Sequence, residues 1–415
     1  MDICRDGSCR RPITPRFFSL QLVRHSTLNV GPFLHIQIPM PMIRMSWSIF
    51  ICLSIFASTS LAQTSTAPNP GFQDPLDTPA VRAKGALRLE KQPVLALAVV
   101  KERIIGVGLR GLVIVSTDGG KSWRQSQVPI QSDLVSVMFP TDTLGWVVGH
   151  DGVILNTTDG GDTWNKQLDG RIAAKLFVAT YQKLVDAGET TMQHYLDQAI
   201  LNAKNPAALP FLGIHFENEN TGYAVGSFGL ILSTHDGGKT WEPWMHRIDN
   251  DQFVNFNDIR RIGSTLYIVG ERGGVWRLDR LKQRFVSTPT DYRGSFFSIA
   301  GRDEHLLIVV GLGGNAFRST DNGASWQQLS IGTQATLSSI ITTSDGLFPL
   351  ILSLDGEIFT SDSDWENFRS VPINRSMLFA SNLAIDKPGQ FILAGYRGVE
   401  TISTPPMPVA HPGDK

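Results

Sequence analysis

The sequence predicts an all-β fold, a seven-bladed β-propeller, on three observations. One eight-residue turn is written four times, a shorter glycine turn is written seven times, and the copies are spaced by about the length of a four-stranded sheet. A repeat of this kind makes one closed array of a 415-residue chain that is otherwise long enough for two average domains.

The eight-residue turn runs from Ser116 to Trp123, from Thr157 to Trp164, from Thr234 to Trp241 and from Ser319 to Trp326. In each copy an acid (Asp118, Asp159, Asp236 or Asp321) stands five residues before the tryptophan (Trp123, Trp164, Trp241 or Trp326). A Ser or Thr precedes the acid by two positions, and Gly-Gly or Asn-Gly follows it. The carboxylate can accept bonds from N–H groups further along the turn, the glycines tolerate positive φ, and the tryptophan fills the gap beside the next strand. These acids are therefore expected to be structural. The spacing resembles the Asp-box, which joins the third and fourth strands of a blade in BNR-repeat propellers.

The glycine turn precedes the strand leading into each box. Its first positions are Gly108, Gly149, Gly226, Gly270, Gly311, Ser353 and Gly395, with steps of 41, 77, 44, 41, 42 and 42 residues. Between these landmarks lie short β-branched or aromatic runs such as Leu95–Val100, Ile104–Gly108 and Val113–Thr117, each bounded by turn residues. Blades 4 and 6 carry degenerate boxes, at Leu278-Asp279-Arg280 and at Ser361 to Trp365, and blade 7 ends after three strands. The segment from Ala86 to Gln92 is expected to supply the missing strand beside Val399–Ser403 and so close the ring.

The step of 77 residues holds an insertion, 171–209, in which the strand pattern stops. Apolar residues from Ile172 to Val185 and from Thr190 to Asn202 follow a helical period, with Gly188 between them, which predicts a helical hairpin. Chain direction places it on the face that carries the glycine turns, with the Asp-boxes on the other.

Residues 40–62 read as a signal peptide: Arg44, a short apolar run, then Ser60 and Ala62 ahead of a cut after Ala62. Residues 1–39 are then either a gene-model extension or a further targeting segment. The run is too short for a membrane span. Cys52 lacks the small residue that a lipoprotein signal places before it, so a soluble exported product is expected. Residues 63–85 read as a flexible lead-in, 86–405 as the propeller and 406–415 as a tail. From Gln63 the chain has 31 Lys and Arg against 36 Asp and Glu, a net charge of −5, which gives no sign of nucleic-acid binding. Cys4, Cys9 and Cys52 all precede that point, which excludes disulfides and thiol chemistry downstream.

No metal or cofactor is expected. His150, His215, His235, His246 and His305 are dispersed without an i,i+4 pair, and no helix follows the glycine turns to make a phosphate loop.

Seven blades, Asp-boxes and an export signal together resemble the photosystem II stability/assembly factor family of propellers and its non-photosynthetic bacterial relatives, over residues 85–405. The resemblance implies a non-enzymatic, monomeric protein that binds protein subunits of a membrane complex and is peripheral to the membrane at most. It would act in the periplasm, or in the thylakoid lumen of a photosynthetic host. The alternatives are a sialidase-like BNR glycosidase and an accessory protein of an envelope transporter. A sialidase needs an arginine triad and a Tyr nucleophile with a Glu partner, and the six tyrosines, Tyr181, Tyr195, Tyr223, Tyr267, Tyr292 and Tyr396, offer no such arrangement.

What the residues offer instead is a surface. The glycine turns present Arg110, Phe228, Arg272, Tyr396 and Arg397, and loops entering first strands add Arg293 and Arg375. Arginine and exposed aromatic groups suit protein recognition.

Overall fold

Each repeat folds into one antiparallel sheet because its apolar runs are a few residues long and are separated by turns too tight for anything but a hairpin. The computed structural model describes residues 73–82, 88–288, 290–343, 346–373, 379–384 and 390–403. Contacts divide the chain into two compact units, 1–67 and 68–415, and all the described residues belong to the second.

Among the described residues that unit contains seven sheets, six of four strands and one of three, each built from consecutive strands of the chain. The first strands are Val94–Val100, Leu134–Met138, Phe211–Phe216, Phe256–Ile262, Phe296–Gly301, Leu337–Thr342 and Phe379–Ala384. Each packs against the next around the ring, and the last packs against the first. In every blade the first strand shifts register by one residue against the second, next to the glycine turn, as at Val94/Ala96, Leu134/Ser136 and Phe256/Asp258. The second strands are buried along their whole length in blades 2, 3, 5 and 6.

The ring closes differently from expectation. Residues Leu89–Lys91 form a 3₁₀ turn, and the seventh sheet has three strands among the described residues. The Glu90 carbonyl occupies the space where a side chain at Gly398 would begin, 1.9 Å from the Cβ position, so the segment does lie beside Val399–Ser403. Ala86 and Leu87 lie outside the described residues. The seam itself is apolar: Val94, Leu97, Ile104 and Ile114 of blade 1 pack on Ile392, Ala394 and Val399 of blade 7.

The Asp-boxes close the opposite face. Asp159 shows the arrangement: its Oδ1 accepts from the Asp162 and Thr163 N–H groups at 2.9 and 3.0 Å, and its Oδ2 from the Thr163 hydroxyl at 2.6 Å. The Thr157 hydroxyl donates to Asp159 and accepts from Gly161 N–H, so the residue two before the acid is also a member of the network. Trp164 is buried and donates back to the Gly161 carbonyl. Burial raises the Asp159 carboxyl, but the bonds from Thr163 and Thr157 outweigh it and hold the group at about 2. The degenerate boxes keep part of this: Asp279 accepts from the Leu281 and Lys282 N–H groups, and Trp365 stays fully buried and bonds the Leu347 carbonyl.

The insertion forms α1 (Gly170–Asp186) and α2 (Gln193–Asn202). Asp169 caps α1, accepting from Arg171 and Ile172 N–H, a start that the apolar period did not mark. A side chain at Gly170 would meet the Pro206 carbonyl at 2.3 Å and the Asp151 carbonyl at 2.8 Å, so the hairpin is rooted on the blade 2 turn. Ala173, Phe177 and Tyr181 of α1 and Leu196 and Ala199 of α2 are buried in one cluster with Trp146, Phe211, Trp244 and Phe285. Each large apolar side chain buried in this way contributes about 1.5–3 kcal/mol.

Residues 73–82 are anchored, contrary to the reading of 63–85 as a flexible lead-in. Leu76 is buried, Ala80 N–H bonds the Val128 carbonyl, and Arg171 spans both carboxylate oxygens of Asp77 at 2.9 and 3.0 Å. Lys166 adds bonds to Asp77, Asp169 and the Leu76 carbonyl. This strap ties the start of α1 to the outside of blade 1.

Candidate functional site

The glycine turns form one face of the disc, and their geometry dictates what that face presents. The first glycine is required by close approach: a Cβ at Gly108 would lie 2.0 Å from the Pro93 carbonyl, and one at Gly149 would lie 2.0 Å from that of Asp133. In blades 1 to 4 the third position is left-handed, with φ of 55° at Arg110, 57° at Asp151, 53° at Phe228 and 55° at Arg272. Glycine stands there in blade 5 at Gly313 and is the residue such a backbone favours. Four blades instead hold a full side chain at a conformational cost of order 1 kcal/mol each. The turn is locked from the next blade, because Asp133 Oδ1 accepts from Arg110 N–H at 2.8 Å and Asn255 Oδ1 from Phe228 N–H at 2.6 Å. Sequence reasoning missed both acceptors. Their signal was a short polar residue directly before the first apolar residue of the next first strand.

The predicted residues fall into separate groups. Arg272 and Arg293 line one hollow, together with Asp249, Asp251, Glu271 and Trp276. That hollow is of mixed charge, not simply basic: Asp249 pairs with Arg284, and Arg272 bonds Gln252. Arg110 lines a second, more apolar hollow with Val81, Arg82, Leu89, Leu109 and Leu112. No residue lines both. Tyr396 and Arg397 are exposed in the blade 7 turn, which the Glu90 carbonyl touches at Gly398. Residues 89–92 therefore link that turn to the Arg110 hollow. Phe228 is exposed on blade 3, where Phe253 covers the neighbouring Gly229. Arg375 lies outside the described residues.

The helical hairpin leans over blades 2 to 4. Tyr181 is fully buried with its hydroxyl 3.3 Å from His246 Nδ1, His194 reaches the Asp251 carbonyl, and Phe253 packs on both His194 and Tyr195. Burial, with the neighbouring Arg247, pushes His246 down to about 4, and burial does the same to His215 on the first strand of blade 3.

The family model described as photosynthesis system II assembly factor YCF48 matches residues 94–180 and 201–278. These cover most of the first four blades, and the gap between the two stretches falls inside the insertion. The chain is similar to the BNR-repeat propellers of the photosystem II assembly factor-like family. Among its relatives are two proteins named photosystem II assembly lipoprotein Ycf48. That of Nostoc sp. is 26% identical over 195 residues, and that of Trichormus variabilis 25% over 195 residues. Each match covers 46% of this chain and 56% of the relative, so the chain spans little more than half the length of the curated relatives it matches. In solved structures the propeller resembles YCF48 bound to D1 peptide, with a TM-score of 0.55, 17% identity, and coverage of 78% of this chain and 97% of that one. YCF48 from Cyanidioschyzon merolae is similar to the same extent, with a TM-score of 0.55, 16% identity, and coverage of 75% and 95%. At this identity the structural likeness speaks for the fold.

Proposed function

We propose that this chain is an exported, non-enzymatic propeller that binds protein subunits of a membrane complex and serves its assembly or stability. The observation that carries the reading is the glycine-turn face. Four blades hold side chains in left-handed positions that glycine would occupy at lower cost, and they include Arg110, Phe228 and Arg272. Strain retained at a surface is a pointer to use. Arg293, Tyr396 and Arg397 complete the proposed docking surface, and protein partners favour arginine and aromatic groups of this kind. The family supports it, since the relatives are named assembly proteins and one solved neighbour holds a D1 peptide.

In a photosynthetic host the partner on this reading is photosystem II and the compartment the thylakoid lumen. Elsewhere it is an envelope complex reached from the periplasm. The relatives are named lipoproteins, whereas here Ile51 precedes Cys52, so a soluble monomer released after Ala62 is the form proposed. A glycosidase gains no support from the tyrosines: Tyr223 is wedged between Trp244 and Phe285, and burial pushes its hydroxyl up to about 12, away from an activated nucleophile.

The test is affinity capture from detergent-solubilised host membranes, comparing wild type with Arg110→Glu/Arg397→Glu and Phe228→Ala/Arg272→Glu. A membrane-protein partner captured by wild type and lost in the folded variants is the expected result. Capture that survives both variants, or turnover of a sialoside, would sink the reading.

A further inference from the structure

We propose that the open part of this face, formed by blades 5, 6, 7 and 1, seats flat on an anionic lipid surface. The second position of the glycine turns points to it. In those four consecutive blades it is apolar or aromatic, Leu312, Leu354, Tyr396 and Leu109, whereas in blades 2, 3 and 4 it is His150, Ser227 and Glu271. Leu312 is 49% exposed, Leu354 42% and Tyr396 61%, so three of the four stand clear of the fold. Equivalent positions of successive blades lie at one height above a propeller disc, which puts these side chains in one plane along an arc. A peptide is gripped by a groove, but a planar apolar arc matches a partner that is itself flat.

Charge completes the match. Arg82, Lys91, Arg110 and Arg397 stand at the blade 7 and blade 1 end of the arc with no ion pair among the described residues. Of the nearby acids, Glu90 pairs with Arg88, whereas Asp133, which takes the Arg110 N–H, Glu357, which takes the Thr333 hydroxyl, and Asp355 of the blade 6 turn offset part of this charge. Unpaired cations beside leucine and tyrosine are the composition of an interfacial surface, with arginine at phosphates, tyrosine at headgroup level and leucine at the acyl boundary. The hairpin leaves this arc uncovered, since its ring and side-chain contacts reach the strap and the connections of blades 2 to 4. Lipid seating goes beyond protein docking but shares Arg110, Tyr396 and Arg397 with it.

The test is co-sedimentation of the chain from Gln63, which keeps the 68–415 unit whole, with two kinds of vesicle: phosphatidylglycerol mixed into phosphatidylcholine, and phosphatidylcholine alone. Binding to the anionic vesicles only, weakening as salt rises, is expected. Arg110→Gln/Arg397→Gln should lower partitioning by roughly 25-fold, at about fivefold for each arginine. Leu312→Ser/Leu354→Ser/Tyr396→Ser should lower it by roughly tenfold or more. Leu281→Ser, which removes the most exposed leucine of the Asp-box face, should leave it unchanged. Thermal unfolding checks that every variant is folded. Equal binding to both vesicles, no binding to either, or arc variants that bind like wild type would each overturn the proposal. Affinity capture keeps the two readings apart: a partner still captured by a chain that ignores vesicles assigns the whole face to protein, while vesicle binding without a partner leaves the lipid reading standing alone.

Discussion

Blades 2 to 4 and blades 5 to 7 are built from the same strands and turns, yet their cores are organised differently. Around the insertion, residues from Trp146 through Phe177, Phe211 and Trp244 to Phe285 form a single buried cluster that runs through three blades and both helices. Across the ring the apolar residues fall into smaller packets: one between blades 5 and 6, another between blades 6 and 7, and a third at the seam. A propeller needs only a packet at each blade interface. The hairpin adds a roof that joins several packets into one, and the roofed part is also where two histidines are half-buried and the exposed arc of leucines stops.

The largest effect should come from breaking that roof. Phe177→Ala is expected to cost about 3–5 kcal/mol in denaturant unfolding. If the cluster acts as one unit, hydrogen exchange in this variant should quicken together across 211–285 while 296–371 stays protected. Exchange that quickens evenly around the ring would show that the two parts are not distinct.

Acid should sharpen the same contrast. The folded values of His215 and His246 are about 4, below the ordinary 6.5, so the unfolded chain binds more protons between those limits. Their contribution is therefore complete above pH 6.5 and is lost as pH falls towards 4. After discounting for partial exposure, each should account for about 1–2 kcal/mol. His215→Phe/His246→Phe should flatten stability against pH over that window, and an unchanged slope would refute the assignment.

Asp159→Ala removes an acceptor used by two backbone N–H groups and two hydroxyls, and should cost about 1–3 kcal/mol by thermal unfolding. Because its carboxyl is held at about 2 against an ordinary 3.8, its contribution persists above 3.8 and disappears as pH drops through 2. Asp279→Ala, in the degenerate box, should have a smaller effect, since it strips an acceptor from two N–H donors and one ion pair.

The smallest effect is expected at the strap. Asp77→Ala deletes the pairing with Arg171, whose guanidinium holds the Asp77 carboxyl far below its usual range. The melting temperature should fall slightly at low salt, and the difference should vanish at high salt because the pair is solvent-facing.

The repeats make most of this fold legible in the sequence. The Asp-boxes and glycine turns set the number of blades, the two faces and the side on which the hairpin emerges. What escaped was information shared between distant residues. Asp133 and Asn255 look like ordinary loop residues until the fold puts them under the N–H groups of Arg110 and Phe228. Asp74 and Asp77 sit in a Pro-rich lead-in that composition reads as loose, and it is Arg171 and Lys166, far along the chain, that fix them. Ring closure was misjudged for a related reason: the rule that edges must be paired predicted a strand from Ala86 to Gln92, whereas Pro93 and the tight approach of Glu90 to Gly398 accommodate a 3₁₀ turn. The arginine set was visible in the sequence, but its division between two hollows, one of them acidic in part, depends on the loops around it.

The seam between blades 7 and 1 also bears on how the chain is made. Every described sheet is a contiguous stretch of sequence, and no strand from the beginning of the chain is woven into the last sheet among the described residues. Blade 1 can thus complete its hydrogen bonding once residue 125 is available, without waiting for the far end of the polypeptide. Local pairing of this kind keeps sequence separation short, the condition for rapid folding in order of emergence. A chain threaded through a translocation pore could then assemble blade by blade as it arrives, leaving only the apolar seam to zip last.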